Sequence, residues 1–509
     1  MQAPKPTSHR AAGTTTSSDH LIHIPHAPRR TTPNILRATA VVLGVVALIG
    51  AVVMTGSAAD ARSKIGSVGN SDAPSVRATE DFLFRLQDMD AQLVNALLVN
   101  GDTQVHVPRS TSEKLYNDDR TAADGDLENA TTALAGDQKA LDQLHTVIDV
   151  FGQYQAQAAR VLAEDERDGG TVAGQTQATV LTDYLAGYDI LFVGKGDGGL
   201  MQAATDLEGA SADAIGRSAS TVENSLTAVS AGFLGFGVVL LAGLVLLQLF
   251  LFKRFHRVLN PALAAATVVT LVFMIGGAVA ANSSSTDFHT AKTDAFDSVI
   301  ALSQAKATSS GMNADESRWL LAHGYAQSER FVESFRAGEQ AIADQPGGST
   351  TFDGYVNVMK QIVDTPLNAD NLSDTSVTNL SKKSSFGAEF QNITFPTESG
   401  KALAAFNAYV AYIEDDARLR AMPLSTPEQV KAAIDFDTNN DTPGTSDQTF
   451  NTYSAALDSV IGVNESHFES SMPASRDVIG TWTWLPYVLA LLIIGLTVLG
   501  LRPRLNEYR

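Results

Sequence analysis

Met89-Asp90-Ala91 and Leu97-Leu98-Val99-Asn100-Gly101 form a signature that recurs as Met312-Asn313-Ala314 and Leu320-Leu321-Ala322-His323-Gly324. The two signatures belong to a longer gapless match between residues 35–101 and 258–324, at a constant offset of 223 residues. Each copy begins with an apolar stretch long enough to cross a bilayer. Because self-similarity at a fixed offset defines the repeated unit of a chain, the sequence predicts two units, each a membrane helix, a long extracytoplasmic segment and a second membrane helix.

Four uncharged apolar stretches reach the length of a transmembrane helix, about 20 residues. They are residues 38–59, 228–252, 261–282 and 484–501. The first stretch could instead be the core of a signal peptide cleaved after Ser57-Ala58-Ala59. Its long uncharged run and its alignment with the third stretch favour a retained helix. The sequence therefore predicts four membrane spans.

The distribution of charge predicts the orientation of these spans. Outside the two long segments the chain has 11 Lys or Arg and only two acidic residues. The long segments each carry 27 acidic residues, against 12 and 13 basic ones. Lys and Arg near span ends stay on the cytoplasmic side. The prediction is therefore a disordered cytoplasmic tail at 1–37, a cytoplasmic turn at 253–260, a cytoplasmic tail at 502–509, and extracytoplasmic domains at 60–227 and 283–483.

Both exterior segments show helical periodicity rather than strand alternation. In the first, Phe82, Leu86, Met89, Leu93 and Leu97 repeat at spacings of three or four residues. Such stripes are typical of four-helix bundles, whose first and last helices here would continue directly from the spans. The predicted fold class is an all-α membrane protein with four transmembrane helices and two four-helix-bundle-like extracytoplasmic domains. Residues 364–400 are expected to be an irregular insertion with little helix, and 422–449 a polar loop.

Composition excludes several classes of function. A net charge of −20 disfavours nucleic-acid binding, and the absence of cysteine excludes disulfides and thiolate metal sites. No catalytic signature is present, so we expect neither an enzyme nor a bound cofactor. Membrane spans without ionisable residues also argue against ion-coupled transport. Apart from Asn282 at the end of the third span, Gln248 is the one strongly polar side chain in the spans. Six glycines are expected to let the helices approach closely: Gly232, Gly235, Gly237, Gly243, Gly276 and Gly277.

Three short motifs were weighed as binding sites. The Met-to-Gly signatures are better explained as core residues and helix ends than as ligand contacts. The glycine-rich run 194–199 lacks the Lys-Ser/Thr of a phosphate loop and is interpreted as a connection between helices. The acidic run 435–441 begins like a calcium loop but has Asn440 and Ser446 where Gly and Glu belong, so a solvated acidic loop is the better interpretation.

The inner segments are too short to hold an output domain. Their exposed groups are the candidate contacts for anionic headgroups or for a cytoplasmic partner: Lys253, Arg254, Arg257, Arg502, Arg504, Tyr508 and Arg509.

Two inner stretches carry a family resemblance. The turn Arg257-Val258-Leu259-Asn260-Pro261-Ala262-Leu263 and the ending Gly500-Leu501-Arg502-Pro503-Arg504-Leu505-Asn506-Glu507-Tyr508-Arg509 resemble those of actinobacterial tetraspan membrane proteins of the GlnX type. The resemblance implies an extracytoplasmic solute-binding lipoprotein for Glu, Asp or Gln, and a cytoplasmic Ser/Thr kinase of the PknG type, as partners.

Three hypotheses on function follow. The leading one is a non-enzymatic transmembrane signal relay between such partners. The second is a direct small-molecule receptor, which needs a pocket between helices with a few convergent polar groups. The third is a scaffold or assembly protein of the cell envelope.

Overall fold

The computed structural model describes residues 32–134, 138–168, 170, 172–196, 198–255, 260–346, 351–364 and 376–506. It is 87% helical, and the described residues contain no strand, which confirms the all-α prediction. The predicted disorder of the N-terminal tail falls almost entirely outside the described residues.

Thirteen helices are described below as two units. Unit 1 (residues 32–255) has α1 Pro33–Val99, α2 Arg109–Ala133, α3 Gln138–Asp168, α4 Ala178–Phe192 and α5 Gly199–Phe255. Unit 2 (residues 260–506) has α6 Pro261–Leu321, α7 Ser328–Ile342, α8 Phe352–Asp364, α9 Ser385–Asn392, α10 Glu398–Arg420, α11 Pro427–Thr438, α12 Ser446–Gly480 and α13 Leu485–Asn506.

The helices that cross the membrane do not stop at its surface. α1 has 67 residues and α6 has 61, so each is on the order of 90–100 Å long. The predicted continuity of spans and bundles is confirmed, and the predicted domain limits at 59/60, 227/228 and 282/283 fall inside unbroken helices. At the junction of α12 and α13 a 3-10 turn, Thr481–Thr483, separates the two helices.

Wider π-helical turns interrupt α1 at Val68–Asp72 and α6 at Thr290–Phe296, at corresponding places in the two units. In α1 the turn ends two residues before Pro74, whose missing N–H prevents a regular helical hydrogen bond. Unit 2 has Asp297 at the corresponding position, so proline does not explain its π turn.

In the part of the chain that the structure describes, four helices are long and apolar enough to cross a membrane, and they form a closed ring. α1 packs against α5 and α13, and α6 packs against the same two helices. Most of the exposed large apolar side chains lie on the outer surface of this ring, as lipid contact requires. Gln248 donates to the Leu263 carbonyl and to Thr267, which satisfies its amide and joins α5 to α6.

Five of the six span glycines lie against a neighbouring side chain. A methyl group on Gly277 would lie 2.3 Å from Phe233, and one on Gly237 would lie 2.4 Å from Met274. Gly232, Gly243 and Gly276 have similar close neighbours. Gly235 has nothing within 4 Å, so the predicted packing role is wrong for this residue.

The two predicted exterior domains do not form separate bundles, because they share a core. The outer half of α1 packs along the outer half of α6, and the core of unit 1 includes residues from unit 2. These residues are Ala307, Leu320, Leu321, Leu419, Ala433, Ile434 and Phe436. An amphipathic stripe shows that a helix is covered but not by which neighbour, and here the stripes are shared between the units.

The predicted polar loop at 422–449 contains a helix. α11 begins with a capping box, in which Thr426 and Gln429 satisfy each other's backbone N–H groups, and it buries Ala433, Ile434 and Phe436. In the expected insertion, Ser376–Asn379 form a 3-10 turn and α9 is helical, so its described part has more helix than predicted, with irregular stretches at 380–384 and 393–397. Residues 365–375 lie outside the described residues.

Candidate functional site at the contact between the units

The Met-to-Gly signatures form the outer ends of α1 and α6. Met89, Leu97 and Leu98 are fully buried, and Met312, Leu320 and Leu321 nearly so. Gly101 N donates to the Gly170 carbonyl at 3.1 Å, and Gly324 follows α6 with a φ of +84°. These residues are thus placed as core side chains and helix ends, and the two signatures lie at the contact between the units.

A buried arginine connects the units at this contact. Arg318 on α6 is 1% exposed, and its Nη2 lies 2.6 Å from Oδ2 of Asp90 on α1. Nη1 lies 2.5 Å from Asp315 Oδ1 in its own helix. Burying charges costs several kcal/mol each unless they are paired and hydrogen-bonded. The cation between two carboxylates meets this condition only when both units are in place.

Two tyrosines of unit 1 complete the environment of Asp90. Tyr154 donates to Asp90 Oδ1 at 3.0 Å, and Tyr184 donates to Oδ2 at 2.9 Å. Burial, and then the Asp90 carboxylate, hold the pKa of both tyrosines well above their usual range. Both hydroxyls therefore stay protonated and act as donors. We name Arg318, Asp90, Asp315, Tyr154 and Tyr184 the Arg318 cluster.

A second polar contact lies one residue away along α6. Ser317 Oγ lies 2.6 Å from Asn95 Oδ1 and 2.7 Å from Asp437 Oδ2. A hydroxyl has only one hydrogen to donate, so these two acceptors require another donor. Burial raises the pKa of Asp437 to about 8, so at neutral pH its carboxyl is mostly protonated and can donate to Ser317.

Further acids accompany Asp437 inside unit 2. Ser446 donates to Glu316 Oε2 at 2.8 Å, and Arg420 pairs with Asp416 at 2.9 Å. Burial, and then the neighbouring Asp416 and Asp437, raise the pKa of Glu316 well above its usual range. The outer contact between the units is thus a buried polar region in which protonation balances an excess of acids.

An open cleft of about 530 Å³ lies nearer the membrane along the same contact. Its walls come from α1 of unit 1 and from α6 and α12 of unit 2. Charged side chains line it: Arg77, Glu80, Asp81, Arg85, Lys306 and Asp458 are among them. The pocket that a direct receptor requires is therefore present between the units.

The predicted inner contacts gather at the other end of the ring. Lys253 and Arg254 are in the last turn of α5, and Arg502 and Arg504 are near the end of α13. Arg257, Tyr508 and Arg509 lie outside the described residues. The two stretches that carry the family resemblance contact each other, because Asn260 Nδ2 donates to the Gly500 carbonyl at 2.6 Å while Asn260 Oδ1 caps α6.

The acidic run 435–441 is not a solvated loop throughout. Asp437 is buried against Ser317, whereas Asp435 accepts a hydrogen bond from His106 N at 3.0 Å. Asp441 lies 3.4 Å from His106 Nε2. Among the described residues no group of three or more His, Cys, Asp or Glu could hold a metal ion.

The glycine-rich run 194–199 connects α4 to α5, as predicted, with positive φ at Gly194, Gly196, Gly198 and Gly199.

Sequence reasoning missed the Arg318 cluster. Asp90 and Asn313 occupy equivalent positions in the two signatures, and this difference was interpreted as a lack of shared charged chemistry. Arg318 is likewise equivalent to Asn95. The usable signal was a pair of differences between the two units. Unit 1 has an acid where unit 2 has Asn, and five residues later unit 2 has a base where unit 1 has Asn.

The comparisons with known proteins agree with a sensory role. The sequence model of a family described as an actinobacterial sensor domain matches residues 64–185. The matched segment holds Asp90, Tyr154 and Tyr184, and it also forms one wall of the cleft. No curated protein and no solved structure matches the chain. The match fits an actinobacterial sensor membrane protein with a role in signal sensing.

Proposed function

We propose that this protein is a non-enzymatic transmembrane signal relay, in which an extracytoplasmic event shifts the contact between the units and the long helices carry the shift inward. The observation that carries the proposal is the continuous helical course of α1 and α6, through their π turns, from the Arg318 cluster to the membrane ring. Coupling needs an element with two arrangements that both sites can bias. A contact that contains a buried ion pair between the units suits this role.

The proposed partners are an extracytoplasmic solute-binding lipoprotein, specific for an amino acid, and a cytoplasmic Ser/Thr kinase. The family resemblance motivates both. On the inner side, the contact of Asn260 with Gly500 supports a single docking surface, because it joins the turn to the C-terminal segment. The internal repeat, proposed from the sequence, supplies the two similar halves that such a relay moves against each other.

The proposed orientation places both termini inside. Since the chain has no cysteine, single cysteines can be labelled selectively. In intact cells a membrane-impermeant maleimide should label a Val193→Cys variant and leave an Arg504→Cys variant unlabelled until the cells are opened. The reverse pattern would refute this orientation.

The relay is tested in the full-length chain in lipid nanodiscs. Spin labels at Phe252→Cys and Leu499→Cys, two exposed side chains of the spans, report the inner end of the ring. Adding the amino-acid-loaded lipoprotein should change the label-to-label distance, and the unloaded lipoprotein should not. A distance that is the same in both samples contradicts the relay and favours the scaffold hypothesis. Deleting 502–509 should abolish the kinase response while insertion is retained.

A direct small-molecule receptor is the second candidate, favoured by the charged cleft between the units. Its distinguishing result is a change in the same label distance on adding free ligand, with no lipoprotein present.

A further inference from the structure

The cleft between the units has charged walls whose cations are already paired. Lys306 lies 2.7 Å from Asp458, Arg85 lies 2.9 Å from Asp119, and Arg77 lies 3.8 Å from Glu465. Lys306 also lies over the Phe84 ring, 4.7 Å from its centre. The positive charges of the lining residues are therefore compensated by acids within ion-pair distance.

Two acids of the same walls lack such compensation. Glu80 is 3% exposed, and its Oε2 has no hydrogen-bond partner among the described residues. Its Oε1 shares the Gln304 amide with Glu208, a second acid, at 3.3 Å. Asp81, one residue further, forms no ion pair with any described residue. Once the ion pairs are formed, the cleft retains two carboxyl groups, those of Glu80 and Asp81, that no cation of its lining pairs with.

The shape and lining of the cleft indicate which kind of cation would pair with these two carboxyl groups. A volume of about 530 Å³ far exceeds the space of a metal ion. Metal ions such as Ca²⁺ need six to eight oxygen ligands, and no described residues form a metal-binding group. Val76, Val299, Ile300 and Ile461 provide apolar surface on three helices. A carbon skeleton with a positively charged end would match both the acids and this surface.

We propose that the cleft binds a small organic cation, an amine whose ammonium group lies between Glu80 and Asp81 and whose carbon skeleton contacts the apolar wall. The inference gives the sensing role a ligand class and rests on the proposed relay only for its output. Because the ligand would contact α1, α6 and α12 together, its binding would favour one spacing of the units over another.

Titration supports the same chemistry. Burial, and then Glu208, raise the pKa of Glu80 well above its usual range. Burial also raises the pKa of Asp81, although Arg85, Lys306 and Arg77 oppose the shift. An ammonium group beside these carboxyls would lower their pKa, so amine binding should release protons.

The test uses the full-length protein in nanodiscs and three probes with the same number of carbons. These are 1,4-diaminobutane, 4-aminobutanoate and butanedioate, studied by titration calorimetry. We expect saturable binding of the diamine, at least tenfold weaker binding of the amino acid, and none of the diacid. Diamine heats measured in buffers of different ionisation enthalpy should show proton release.

Variants assign the site. Glu80→Gln and Asp81→Asn should each weaken diamine binding at least tenfold, and Glu80→Gln should reduce the proton release. Asp124→Asn removes an exposed acid of α2 outside the lining of the cleft and should bind as the wild type does. Should Glu80→Gln fail to fold, Asp81→Asn on the same wall still tests the site.

Several results would overturn the proposal. They are the absence of diamine binding, preferred binding of butanedioate, or equal binding by all variants. Failure of the relay is a separate outcome, because the diamine would then bind without changing the label distance at the inner end of the ring. If the lipoprotein changes the label distance but no amine binds, the amine site is refuted and the relay is retained.

Discussion

The outer halves of α1 and α6 share a plan but differ at the positions where they contact each other. Both contain a π turn and end two or three residues before the glycine of their signature. Yet Asp90 and Arg318, which pair across the contact, stand where the other unit has Asn313 and Asn95. Identical units would place like charges or no charges there. The divergence therefore makes the two halves complementary.

The same contrast extends to the tyrosines behind the contact. The spacing of Phe151 and Tyr154 in unit 1 recurs in Phe406 and Tyr409 of unit 2. Tyr154 donates to the Asp90 carboxylate, whereas the Tyr409 hydroxyl lies 2.8 Å from that of Tyr355. Similar helices thus carry a charged cluster in unit 1 and a neutral one in unit 2.

The largest expected effect comes from removing the cation that joins the units. Arg318→Met leaves Asp90 and Asp315 buried without their partner, and breaking a buried ion pair in this way costs about 3–5 kcal/mol. Unfolding by heat or denaturant in detergent, followed by circular dichroism, measures the loss.

The matched control is the equivalent position of unit 1. Asn95→Ala removes one acceptor of Ser317 and should cost about 1 kcal/mol. Equal losses in the two variants would show that Arg318 is not the specific connection between the units.

The second prediction concerns Asp437, an acid of unit 2 that is buried at the contact. Since the pKa of Asp437 is raised to about 8 in the folded protein, the native state holds a proton that the unfolded chain releases near pH 4. The contribution of this proton to the free energy of unfolding is fully present below pH 4 and is lost as the pH rises towards 8. Asp437→Asn should remove that part of the pH dependence, roughly 3–4 kcal/mol between pH 5 and 8.

Denaturant unfolding at several pH values measures this slope. Asp441→Asn is the control, because that carboxylate is mostly exposed. A slope unchanged in Asp437→Asn would mean that this carboxyl is ionised in the fold, and then Ser317 would lack its second donor.

The sequence was sufficient to predict the parts of the fold that are local. Long uncharged stretches and helical stripes predicted the four spans and their continuation into the exterior domains. Which helices meet is a property of the whole chain, so the packing of α1 on α6 was missed. Arg318 was missed because arginine is rarely buried, and α11 because Pro427 and Asn439 bound a short segment that reads as a loop.

The third prediction moves the comparison into the membrane, where the units contact each other through glycines. Gly277 of unit 2 faces Phe233 of unit 1 with no space for a methyl group. Gly277→Ala should therefore force the ring of Phe233 aside and cost about 1–3 kcal/mol, as overpacked cores do. Thermal unfolding in detergent measures the effect. Gly235→Ala, on the same helix as Phe233 but in open space, should be nearly neutral, and an equal loss there would point to backbone effects.

The smallest expected effect distinguishes a tyrosine that bonds to a charged group from one that bonds to a neutral group. Tyr154→Phe removes a hydrogen bond to the Asp90 carboxylate, and bonds to charged groups contribute about 1.5–3 kcal/mol. Tyr409→Phe removes a bond between two hydroxyls, which contributes about 0.5–1.5 kcal/mol. The expected difference in unfolding free energy is about 1 kcal/mol, with Tyr154→Phe the less stable. In the background of Asp90→Asn this difference should vanish, because both tyrosines then bond to neutral groups. A difference that persists there would mean that packing, rather than the charge of Asp90, distinguishes the two units.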